Sequence, residues 1–293
     1  MLEHILICSD GSEPALDATQ TGVVIARRFH ADVCLLSVFD HFLIPYMGSW
    51  GAGINGRALV QWSNPFYTDV RQRSAPILEQ AQVHYRSLHM FGQPVQMIVE
   101  AAVTECADLI VVGSRGLNPW PALLLGSVSE GVLQHAPCPV LIVRGEHPPG
   151  KEIGFRRILL AVDGSEGACR AAQMAAALAN PFKSELIDLN VFNPLADYPD
   201  VSAEDLDTES YAQAVRHSVE GRTAYALKEA DIQYTFCQET GDPAEVIIKV
   251  AARDGCDLIV MGSRGLGGFK AMLLGSVSNQ VAHHASCPVL VVR

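Results

Sequence analysis

The sequence predicts an α/β protein built from two tandem doubly wound domains, each an open parallel sheet of about five strands with helices on both faces. Three observations carry this. The 293 residues exceed one ordinary domain and suit two of roughly 100–150 each. The chain repeats itself almost end to end: HILICSDGSE at 4–13 matches RILLAVDGSE at 157–166 and VCLLSVF at 33–39 matches LIDLNVF at 186–192, both 153 positions apart. GQPVQMIVEAAVTECADLIVVGSRG at 92–116 matches GDPAEVIIKVAARDGCDLIVMGSRG at 241–265, and HAPCPVLIVR at 135–144 matches HASCPVLVVR at 284–293, both 149 apart. Within each copy, short β-branched runs alternate with helical patterns.

Each element follows from its residues. ILIC, VCLLSVF, DLIVVG and PVLIVR are continuous apolar runs, the pattern of strands buried on both faces of a parallel sheet. Between the first two, Leu16, Thr19, Val23 and Ala26 fall on one helical face, as do Cys169, Ala172, Ala176 and Ala179 in the second copy. A further helix is expected over about 92–106 and another after Gly126. VHYRSLHMF at 83–91, aligned with IQYTFCQET at 232–240, supplies the remaining strand despite its polar interruptions. The two offsets differ because the first half carries four additional residues between Phe39 and the next helix. A period near 150 is a duplicated domain and too long for a solenoid repeat. The domains are placed at 1–144 and 156–293, joined by GEHPPGKEIGF at 145–155, where Pro148, Pro149 and nearby glycines break both periodicities.

Composition excludes several functions. Hydrophobic residues make up 49% and charged residues 18%, so disorder is set aside. A net charge of −11 argues against nucleic-acid binding, which is built from clustered Lys and Arg. The first apolar run is cut short by Asp10 and no stretch approaches the roughly 20 apolar residues of a membrane span, so a soluble, cytoplasmic protein is expected. Eight cysteines without a CxxC pair sit mostly in apolar segments, such as Cys8 and Cys34, as buried hydrophobes do in a reducing compartment.

The chemistry concentrates in GSRGLNPWPALLLGS at 113–127 and GSRGLGGFKAMLLGS at 262–276. Both keep Gly-x2-Gly-x9-Gly-Ser after a strand and before a helix, at the carboxyl end of the sheet where doubly wound folds bind ligands. A Gly-x-x-Gly turn aims successive N–H groups at an anion, and a helix start adds free donors and the positive end of its dipole. The nine intervening residues need only bridge these donors. A purely structural role for the glycines, as a tight strand-to-helix turn, is the competing interpretation. Ser127-Val-Ser-Glu130 has capping-box spacing, which competes with a phosphate for the Ser127 hydroxyl; Asn279 holds the fourth position in the second half. Asp10 and Asp163 end the first strand of each half and suit ribose hydroxyls, the alternative being an N-cap or an Asx turn. Arg115 and Arg264 either add charge to phosphate or solvate the loop.

On these motifs the chain resembles the universal stress protein family over nearly its whole length, as two tandem copies, and the glycine frame is similar to that family's ATP-binding signature. The resemblance implies a regulatory stress-response protein with ATP as cofactor, with or without Mg²⁺. One site would be lined by Asp10, Val38, Gly113, Ser114, Arg115, Gly116, Gly126, Ser127, Val128 and Ser129. The other would be lined by Asp163, Val191, Gly262, Ser263, Arg264, Gly265, Gly275, Ser276, Val277 and Ser278. Val38 and Val191 would hold adenine through main-chain contacts. The first half departs from the usual family pattern at Asn118-Pro-Trp-Pro121. The resemblance further implies homodimerisation, with the apolar strands after Pro139 and Pro288 letting the two halves form an internal pseudo-dimer.

Rival functions fit less well. Lys270 has the wrong spacing for a P-loop lysine and its counterpart is Pro121, so no catalytic residue is assigned, although slow ATP hydrolysis stays open. His135 with Cys138, and His283 and His284 with Cys287, supply too few zinc ligands per half, and no metal site is assigned. A nucleotide-free scaffold of the same fold is the remaining alternative. MGSWGAGINGR at 47–57, with Trp50, Trp62 and Trp120 in the same half, is expected as a disordered surface insertion, the alternatives being a mobile lid or part of an apolar ligand pocket.

Overall fold

The computed structural model describes residues 2–40, 56–116, 125–144, 154–193, 208–265 and 274–293. The 118–121 departure, Lys270, nearly all of the expected linker and most of the 47–57 insertion lie outside them. The chain divides into two compact units, Met1–Ile153 and Gly154–Arg293.

In unit one the elements run β1 (His4–Cys8), α1 (Glu13–Phe29), β2 (Asp32–Phe39), α2 (Gly56–Gln80), β3 (Tyr85–Phe91), α3 (Pro94–Thr104), β4 (Leu109–Gly113), α4 (Ser127–His135) and β5 (Val140–Val143). Unit two repeats them as β6 (Arg157–Val162), α5 (Glu166–Phe182), β7 (Glu185–Phe192), α6 (Thr208–Glu229), β8 (Tyr234–Thr240), α7 (Pro243–Arg253), β9 (Leu258–Gly262), α8 (Ser276–His284) and β10 (Val289–Val292). Strands are ordered β3-β2-β1-β4-β5 in unit one and β8-β7-β6-β9-β10 in unit two. Every pairing within each unit is parallel. The expected doubly wound architecture is therefore present twice. Tyr85–Phe91 and Tyr234–Thr240 are the third strands, as their alignment suggested.

The sheet centre is apolar for the reason the runs implied. All five residues of β4 and all four of β5 are buried. α1 packs against α2 and α3 against α4, and unit two repeats both pairings. Small residues let the first helix approach: Ala168, Ala171, Ala172, Ala175, Ala176 and Ala179 of α5 are all buried. Gly22 of α1 leaves only 2.6 Å between an added Cβ and Ile7 Cδ1. Each sheet is tied at its amino end by an aspartate before the fourth strand. Asp108 Oδ2 accepts from Glu3 N and His4 N at 2.7 and 2.9 Å, and Asp257 accepts from Arg156 N and Arg157 N at 2.8 and 3.2 Å.

The cysteines follow their segments only in part. Cys34 and Cys256 are buried and burial pushes both thiols up, Cys256 to about 11, while Cys106 is exposed. Among the described residues no helix is long and apolar enough to cross a membrane.

Candidate functional site

The strand order reverses between β1 and β4, and again between β6 and β9, which opens a crevice beyond their carboxyl ends. Ile7 pairs with Val111 and Ala161 with Met261, so the Asp10 and Gly113 ends are neighbours, as are those of Asp163 and Gly262. Val38 and Val191 lie one strand over, half-buried near the ends of β2 and β7.

The first glycine of each frame serves packing. A Cβ on Gly113 would stand 2.6 Å from Pro14 O and 2.7 Å from Pro14 C, and one on Gly262 would stand 2.8 Å from Gly167 C. All three distances are to backbone at the start of the unit's first helix, which can yield only if the helix moves. The structural interpretation of the frame thus holds at this position.

The second glycine meets the aspartate. A Cβ on Gly116 would lie 2.5 Å from Asp10 Oδ2, and one on Gly265 would lie 2.2 Å from Asp163 Oδ2. The other carboxylate oxygen is engaged in an Asx turn. Asp10 Oδ1 accepts from Ser12 N at 3.0 Å and from Ser12 Oγ at 2.5 Å, and Asp163 Oδ1 accepts from Ser165 N at 2.9 Å. Of the roles considered for these aspartates, the Asx turn is the one these contacts make. The N-cap alternative does not hold, because Ser12 and Ser165 occupy the N-cap positions.

The helix start corrects the capping-box expectation. Gly126 and Gly275 are the N-caps, and Ser127 and Ser276 are the first helical residues. Gly126 N donates to Ser114 O and Gly275 N to Ser263 O, both at 2.8 Å, which holds each glycine extended and starts the helix one residue earlier than the pattern implied. Ser114 N and Ser263 N are also used inside the protein, donating to Val143 O at 2.8 Å and Val292 O at 2.7 Å. These four amides are therefore not anion donors. Neither N-cap supplies a side-chain hydrogen bond, and the first intrahelical bonds are Glu130 N to Gly126 O and Asn279 N to Gly275 O. The amides of Ser127–Ser129 and Ser276–Ser278 occupy the turn whose donors no intrahelical carbonyl can satisfy.

Ser129 and Ser278 have a further part that the sequence did not disclose. Both are buried, and their hydroxyls donate to Gly113 O at 2.6 Å and Gly262 O at 2.9 Å. Each stitches the helix start to the end of the fourth strand. Two arginines also escaped notice: Arg73 Nη1 donates to Gly11 O and Arg222 Nη1 to Gly164 O. Their common signal was the 149-residue offset, which aligns VRQRS at 70–74 with VEGRT at 219–223. Val128 and Val277 are half-buried, Ser127 and Ser276 exposed, Arg115 half-buried and Arg264 exposed.

The doubly wound α/β unit, with a carboxylate beside the second glycine and a glycine-capped helix start at the switch point, is present twice. The chain belongs to the universal stress protein family, whose model matches residues 1–144 and 154–293. A universal stress protein of Mycolicibacterium smegmatis is 27% identical over 300 aligned residues, covering 99% of this chain and 96% of that one. A universal stress protein of Thermus aquaticus is 38% identical over 140 residues, 99% of its own length and 47% of this chain. The crystal structure of a universal stress protein from Archaeoglobus fulgidus matches with a TM-score of 0.72 at 24% identity, covering 99% of this chain and 98% of that one, a likeness of fold.

Proposed function

We propose that each unit binds one ATP at its carboxyl-end crevice and that occupancy regulates the conformation or association of a cytoplasmic stress-response protein. The observation that carries this is the placement of Asp10 Oδ2 over Gly116, repeated by Asp163 over Gly265. A side chain at either glycine would fill the space beside the carboxylate. That shape suits a polyhydroxylated group approaching the backbone closely. Asp10 and Asp163 would accept ribose hydroxyls, Val38 and Val191 would flank the base, and the amides of Ser127–Ser129 and Ser276–Ser278 would receive phosphate with the helix dipole behind them. Arg115 and Arg264 would add positive charge at the glycine turn.

Bound ATP would supply a polyanion seated against the glycine turn and helix start, favouring one arrangement of the neighbouring loops. Among the described residues no group of three or more His, Cys, Asp or Glu side chains is placed to hold a metal, so Mg²⁺ would enter on the phosphates. The proposed role is that of a regulator, with homodimerisation as part of the proposal.

Acid denaturation of the purified chain, followed by assay of the released small molecules, should yield ATP, or else the emptied protein should bind added ATP saturably. Absence of both would overturn the reading and leave a nucleotide-free scaffold.

A further inference from the structure

One peptide plane in each unit is gripped from both sides. In unit one, the amide of the Gly11–Ser12 peptide donates to Asp10 Oδ1 at 3.0 Å while its carbonyl accepts from Arg73 Nη1. In unit two, the amide of the Gly164–Ser165 peptide donates to Asp163 Oδ1 at 2.9 Å while its carbonyl accepts from Arg222 Nη1 at 2.6 Å. A peptide unit is planar, so fixing the direction of its carbonyl fixes the direction of its amide. The amide in turn fixes Oδ1, and the rigid carboxylate then leaves Oδ2 over Gly116 or Gly265. A cation on the carbonyl also polarises the amide and strengthens its bond to the aspartate. The glycine before each peptide has φ +80°, a left-handed conformation that only an anchored turn or a glycine holds readily.

Both arginines belong to the second helix of their unit, and the next residue docks that helix on the sheet. Ser74 Oγ lies 3.0 Å from Ser9 Oγ, and Thr223 Oγ1 donates to Asp188 Oδ2 at 2.9 Å. The arginines' acidic neighbours differ: Arg73 also pairs with Glu13, whereas the equivalent Glu166 approaches Arg170 at 3.8 Å. The contact common to both units is the one to the carbonyl. The Arg73 side chain is 38% exposed, so its surface ion pair contributes little to stability.

We propose that Arg73 and Arg222 are positioning residues for Asp10 and Asp163, aiming each carboxylate through the intervening peptide without touching the nucleotide. This rests on the nucleotide reading above. The test is an ATP titration of the full chain followed through the amide resonances of Gly116 and Gly265, which report the two sites separately. Arg73→Met should weaken binding at the Gly116 site about tenfold, equivalent to about 1.4 kcal/mol, and leave the Gly265 site unchanged. Arg222→Met should do the reverse. Arg73→Lys, whose ammonium still donates to a carbonyl, should recover most of the affinity, a rescue that loss of packing would not show. Unchanged affinity in both Met variants, or equal loss at both sites from either one, overturns the proposal. Should the parent chain bind no ATP, the nucleotide reading fails on its own, and the ligand-free spectra decide the positioning claim. Arg73→Met must then shift the Ser12 and Gly116 amides and leave Ser165 and Gly265 in place; unmoved Ser12 and Gly116 resonances would overturn it.

Discussion

Gly113→Ala is expected to destabilise unit one by roughly 3 kcal/mol, the upper end of what one overpacked methyl inflicts. The added carbon would stand 2.6 Å from Pro14 O, 2.7 Å from Pro14 C and 3.0 Å from Ala15 N. Backbone cannot rotate aside as a side chain does, so α1 must lift from β4. That motion would loosen buried contacts of Ala15, Ala18 and Thr19, all less than 5% exposed. Gly116→Ala should behave differently, since its methyl displaces the Asp10 carboxylate, a polar group at the crevice. Urea denaturation distinguishes the two: a large loss for Gly113→Ala beside a small one for Gly116→Ala is the expected pattern. A stability for Gly113→Ala within about 0.5 kcal/mol of the parent would contradict the packing role assigned to the first glycine.

Asp188 carries the second large effect. It sits in β7 at 0% exposure, where the repeat places Leu35 in unit one. Oδ2 accepts from Thr223 Oγ1 at 2.9 Å, and Oδ1 is buried without a hydrogen-bond partner among the described residues. Burial, reinforced by Glu220, pushes the carboxyl up to about 7 against the opposing Thr223 hydrogen bond. The folded chain therefore keeps a proton that the unfolded chain releases near pH 4. The contribution of Asp188 to stability is greatest below that point, falls as pH rises toward 7, and levels off above it. Between pH 5 and 8 the loss should be roughly 3 kcal/mol, two pH units at about 1.4 kcal/mol each. Asp188→Asn, which cannot ionise, should lack this slope and exceed the parent in stability at pH 8. Asp188→Leu should do the same by restoring the residue type of unit one. Equal pH dependence in parent and Asp188→Asn would show that the carboxyl titrates normally.

Much of the fold was legible because a parallel sheet buries its central strands on both faces. ILIC, DLIVVG and PVLIVR have no polar side to confuse them, and the second copy confirmed each run. β3 and β8 were faint for the opposite reason. Each is an outer strand in its unit's order, and exposed Arg86, Ser87 and His89 break the pattern of β3. α2 was obscured by Pro65 and Pro76 within it.

At the site, topology alone brought Asp10 to the glycine turn, since neighbouring strands must deliver their ends together. Which amides stay free as donors depends on hydrogen bonds between segments. A serine followed three residues later by glutamate looks like a cap, but Gly126 took that place once its amide had bonded to Ser114 O. Ser129, Arg73 and Asp188 act through partners 16, 62 and 35 positions away, contacts that no local pattern encodes.

Calorimetric titration of ATP into the parent, Gly116→Ala, Gly265→Ala and the double variant counts the nucleotide sites proposed around the carboxylate over the second glycine of each unit. Two ATP per parent chain, one per single variant and none for the double variant is the expected result. A parent that binds no ATP, or a double variant that binds as the parent does, would contradict it.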